Sequence, residues 1–150
     1  MALQRRRTAP NARAARISGA VFAAAGAAVA LAGAVSILTG SPNAAHDLTP
    51  LTGPGDIVTR FGQVAPVVSA AIAALVAATV AALLATKRLA PRASAMELLI
   101  LGLAIEACIG GAIGRIGHAT DGAVLGSTVA CLMGGTAVVA GGIISVLGHE

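Results

Sequence analysis

The chain has 150 residues, of which 57% are hydrophobic, 11% charged and 1% aromatic, and its mean hydropathy is +0.89. Soluble domains carry about 25% charged residues, so a water-soluble globule of this size could not hide so much apolar side chain. A net charge of +4 and a pI near 10.5 do not point to nucleic acid, because the basic residues stand in short flanks and not on one folded face.

Met1 to Arg16 is a basic segment holding Arg5, Arg6, Arg7, Arg13 and Arg16, after which Ile17 to Thr39 runs without a charge. A bilayer core takes about 20 apolar residues, so this stretch predicts a first transmembrane helix. The rival reading is a signal peptide cleaved near Asn43-Ala44-Ala45, but the apolar run exceeds the roughly 7 to 15 residues of such a segment. Gly40 to Gly55 reads as a polar loop punctuated by Pro42, Pro50 and Pro54, and Asp56 is placed to cap the helix that follows. The apolar body of that second helix spans 64–86, with Pro66 near its outer end. Lys87, Arg88, Pro91 and Arg92 form a basic turn, 96–116 a third helix, Gly117 to Asp121 a tight polar turn, and 122–147 a fourth helix before a short tail at 148–150. The fold class expected is all-α: a polytopic membrane protein of four transmembrane helices in an antiparallel bundle.

Orientation follows from the charges. Arg5, Arg6, Arg7, Arg13, Arg16, Lys87, Arg88 and Arg92 fall on one side of such a bundle, and only Arg60 and Arg115 on the other. Positive charge gathers on the cytoplasmic side, which places both termini and the Lys87 to Arg92 turn inside, in a multi-pass protein of the inner (plasma) membrane. With no Trp or Tyr in the chain, Lys and Arg must do most of the interfacial anchoring.

Lipid tails are as apolar as leucine, so the helices must associate through close van der Waals contact and polar groups that seek partners. Gly19, Gly26, Gly33 and Gly40 recur every seven positions in the first helix, with Ala23 and Ala30 between them. Ala70, Ala74, Ala77 and Ala81 trace a similar seam on the second; Gly102, Gly110 and Gly114 mark the third, and Gly126, Ala130 and Gly134 the fourth. Counting equal steps from the short turn between helices three and four puts Cys108 level with Cys131, and Glu106 level with Met133. Two small buried thiols are expected there in preference to a disulfide, whose geometry is demanding.

Glu106 lies about ten residues inside the third helix, near the bilayer midplane, where a carboxylate is disfavoured by a few kcal/mol. Its functional reading is proton or cation coupling, with Thr79, Ser127, Thr128 or Thr136 as candidate hydrogen-bond partners. Its structural reading is interhelical glue. Arg115 stands about 13 Å further along the helix on roughly the opposite face, so it is expected to snorkel outward towards His118 and Asp121 instead of pairing with Glu106. Arg115, His118 and Asp121 then form an outer polar cluster, either a salt-bridged turn that ends the helix or a seat for an anionic headgroup or ligand. No metal site is expected, because His46, His118 and Asp121 lack helical ligand spacing; Glu97 suits a helix N-terminus. No Ser-His-Asp order, phosphate-cradling loop or paired-cysteine motif is present, so neither a cofactor nor an enzymatic activity is expected.

Asp56, Arg60-Phe61-Gly62, Gly114-Arg115 and Asp121-Gly122 together resemble a family of small bacterial four-helix integral membrane proteins catalogued as a domain of unknown function. Gln63 and Ala123 stand where that family tends to carry an aromatic residue and a proline. The resemblance implies four helices over about Ile17 to Leu147, with Arg60, Arg115 and Asp121 meeting at the outer face, and it implies no activity. The partners expected are the lipid bilayer and either further copies of the chain or a larger membrane complex in which it is an accessory subunit. Two alternatives are a small proton- or cation-coupled transporter using Glu106 and a holin-like pore former.

Overall fold

A computed structural model describes residues 2–39, 54–86, 88, 90–116 and 122–147, with side chains over 12–39, 65–86, 88, 90, 92–111 and 125–147. The described residues are helical apart from the link between the second and third helices, and no strand occurs among them. The helices are α1 (Ala2–Thr39), α2 (Pro54–Ala85), α3 (Pro91–Ile116) and α4 (Gly122–Leu147). Each contains a stretch long and apolar enough to cross a membrane, namely Ala12–Thr39, Ala65–Ala85, Arg92–Gly111 and Leu125–Leu147. This is the build of a multi-pass membrane protein.

Three helices begin or extend beyond the expected limits. The basic segment is not a separate arm: α1 starts at Ala2 and carries Arg5 to Arg16 as a continuous extension of the first span. Pro54 and Pro91, read in the sequence as loop and turn residues, are the first residues of α2 and α3. Proline breaks a helix only in its interior; at the first position its missing N–H would have had no partner, and its fixed φ already suits the helix. Asp56 therefore falls inside the first turn of α2 and not at the position before it. Pro66 is accommodated within α2.

The end of α2 closes by local hydrogen bonds. The Arg88 N–H donates to the Leu83 carbonyl at 3.0 Å, and the Thr86 N–H to the Ala82 carbonyl at 3.1 Å. The Thr86 hydroxyl reaches the Ala82 and Leu83 carbonyls as well, each at 3.1 Å. These bonds occupy carbonyls that a helix end would leave open. So short a link makes α2 and α3 antiparallel neighbours.

The helices form a ring in which α1 meets α2 and α4, and α3 meets the same two, while the diagonal pairs barely touch. The most extensive contact, between α1 and α4, is antiparallel: Gly19 faces Gly141 and Ser145, Gly26 faces Gly134 and Ala137, and Gly33 faces Ser127 and Cys131. The approach is backbone to backbone. A Cβ on Gly26 would stand 2.7 Å from the Gly134 carbonyl oxygen, and one on Gly134 2.5 Å from the Ala30 amide nitrogen. In α3, Gly102 faces Gly135 and Val139, the register that equal counting from the α3–α4 turn gives. A run of buried alanines fills the middle, Ala20, Ala23, Ala27, Ala30 and Ala34 from α1 with Ala70, Ala74, Ala77 and Ala81 from α2. Val67, Val80, Leu84, Leu98, Ile105, Ile109, Cys131 and Val138 complete the cluster. Larger apolar side chains such as Phe22, Ile72, Ile100 and Leu125 point outward, the reverse of a soluble protein and the arrangement a lipid solvent favours.

Candidate functional site

Glu106 is the one acid inside the described membrane spans beyond the first turns of α3. The buried stripe of α3 runs through Leu98, Gly102, Ile105 and Ile109, and helical spacing places Glu106 on the flank of that stripe next to α4, half-buried. Its side chain lies across Gly135, where a Cβ would come 3.0 Å from Glu106 Cγ. The absence of a side chain at Gly135 thus opens the groove in which the carboxyl lies. Towards the outside, Leu103 and Met133 flank it and are largely exposed.

Of the four hydroxyls expected as partners, Thr136 of α4 meets the carboxyl, with its Oγ1 2.8 Å from Glu106 Oε1. The same hydroxyl is 3.0 Å from the Leu132 carbonyl oxygen one turn back. A hydroxyl has one proton. Thr136 gives it to Glu106 Oε1, and the Leu132 carbonyl is the alternative acceptor within reach. Thr79 is elsewhere, donating to the Leu75 carbonyl of its own helix at 3.0 Å. Ser127 donates to Ser36 of α1 at 2.8 Å, and Thr128 is buried within the bundle. No Lys or Arg occurs in α4, and the nearest in α3 are Arg92 and Arg115.

The glycines single out a second set of positions. Gly19, Gly26, Gly33, Gly102 and Gly134 lie at helix contacts that a side chain would obstruct. Gly110 and Gly126 do not: among the described residues a Cβ on either would meet nothing within 4 Å, so the small-residue spacing that nominated them marks no seam between described helix faces. Sequence spacing alone missed Gly135, Gly141 and Gly142, which do lie at contacts. The signal was present, since Gly134 and Gly141 repeat at the seven-residue interval of α1.

Cys131 is buried against α1, its thiol donating to the Ala30 carbonyl at 3.1 Å, and Cys108 is partly exposed. Both are free thiols. The side chains of Arg60, Arg115, His118 and Asp121, along with Gly114, lie outside the residues whose surroundings are described, as do His46 and Asp47. Among the described residues no three His, Cys, Asp or Glu side chains gather into a group that could hold a metal ion. No family model matches the chain, and neither a curated protein nor a solved structure matches it.

Proposed function

We propose that the chain is a non-enzymatic membrane protein that works as part of an assembly, either a homo-oligomer or an accessory subunit of a larger membrane complex. The observation that carries this reading is the place of Glu106. The cluster at the centre of the bundle is alanine, leucine, isoleucine and valine with Cys131, whereas the carboxyl lies on the outer flank between α3 and α4. A carboxyl left against lipid is costly, and covering it with a protein partner lowers that cost. The location also counts against transport through the middle of a single bundle. A proton- or cation-coupled path using Glu106 would have to run along the α3–α4 flank or between neighbouring chains.

The setting that accompanies this function is the inner (plasma) membrane with both termini cytoplasmic. Gly19 meets Ser145 and Gly142 meets the Ala95 carbonyl, so the Arg13–Arg16 turn of α1, the Arg88–Arg92 link and the end of α4 share one end of the bundle. Positive charge at a shared end supports its cytoplasmic placement. Gentle detergent extraction followed by mass determination tests the assembly. A species heavier than the 14.4 kDa chain, or a stoichiometric co-purifying protein, is expected. A lone monomer that brings nothing with it would remove the proposal.

A further inference from the structure

We infer that the outer face of α3 and α4 around Glu106 is the contact surface for a second copy of this chain, related by a two-fold axis along the membrane normal. The inference rests on the assembly reading above and names its occupant. Three features on that face point to it. Glu106 is half-buried at mid-span with Thr136 as its neighbour, and it reaches the surface between Leu103 and Met133, which are 56% and 67% exposed. Next to it, one α-helical turn further along, Gly110 leaves a notch in the exposed side-chain surface, where a Cβ would touch none of the described residues. Val129 of α4, level with Gly110 in the α3–α4 register, is also exposed and offers a side chain of notch size.

The choice of a second copy over another protein follows from depth and from hydrogen-bonding chemistry. Copies inserted in the same orientation lie at the same depth, so a two-fold axis brings one Glu106 level with the other without further adjustment. A foreign partner would need a polar group of its own at mid-membrane, where such groups are rare. A carboxylic acid is both a donor and an acceptor, and so is a threonine hydroxyl. Two Glu106–Thr136 pairs are therefore self-complementary: with each Thr136 hydroxyl given to its own Glu106, an acid proton on one copy is left to bond an oxygen of the other.

The test uses the full-length chain in the membranes of the cells that express it. In a background with Cys108→Ala and Cys131→Ala, single cysteines at Leu103 or Met133 should join on copper-phenanthroline oxidation into a species of twice the monomer mass. A cysteine at Ile72, exposed on the lipid face of α2, should not. Glu106→Gln keeps a donor and an acceptor and should keep the cross-link. Glu106→Leu should weaken association roughly tenfold, the scale of two interhelical hydrogen bonds in a membrane. Gly110→Leu should abolish the cross-link while leaving the unfolding of the monomer in detergent unchanged, because none of the described residues opposes the new side chain. Cross-linking through Ile72 alone would overturn the assigned face. A heavier complex built with a different protein, without self cross-links, would overturn the second copy but leave the assembly reading standing. A monomer without partners would overturn both.

Discussion

At the residue scale, glycines that look alike in sequence separate into two physical classes. Gly26 and Gly134 hold two helix backbones together, and any side chain there must push α1 from α4. Gly126 faces none of the described residues. Gly26→Leu is therefore expected to destabilise the bundle by about 3 kcal/mol or more, above the usual cost of overpacking because the opposing atoms are backbone. Gly126→Leu should change stability by less than about 0.5 kcal/mol. Unfolding in mixed micelles followed by circular dichroism separates the two, and equal loss in both would contradict the assigned seam.

At the element scale, α4 organises the bundle because it carries small residues on two flanks. Gly134 and Gly141 receive α1, and Gly135 and Gly142 receive α3. Cys131 falls on the α1 side and so turns its thiol to the Ala30 carbonyl. Cys108 belongs to α3, and equal depth does not bring the two sulfurs onto facing sides. Mild oxidation of the detergent-solubilised monomer is therefore expected to leave both thiols free, and a membrane-soluble maleimide should alkylate Cys108 well before Cys131. Mass spectrometry of the labelled peptides reads both outcomes; a bond between the two cysteines would show that α4 is rotated from the orientation described.

At the scale of the whole molecule, stability comes from close backbone approach and small-residue contact inside, with large apolar side chains given to lipid. The ring of antiparallel neighbours brings the start of α1, the α2–α3 link and the end of α4 to one end. Reporter fusions after Arg88 and after Leu147 should consequently report the same compartment, and a fusion after Ile116 the opposite one. A fusion after Arg88 that reports opposite to one after Leu147 would be incompatible with the topology. The protein should also remain with the membrane through high-salt and alkaline washes and enter solution only with detergent.

The amino-acid sequence by itself determined the class and the number of spans, because a run of about 20 uncharged apolar residues has one physical destination. It also determined the buried faces of α1 and α2, where glycine and alanine recur at helical spacing and nothing larger competes. The starts of α2 and α3 were less legible, since proline is both a helix breaker and a favoured first residue, and only the backbone around it decides between the two. Tertiary structure alone decided which glycines are contacts and which hydroxyl meets Glu106. Both depend on the rotation of one helix against another, and in lipid that rotation is set by fine packing, because an apolar residue is equally at home facing a neighbour or the solvent.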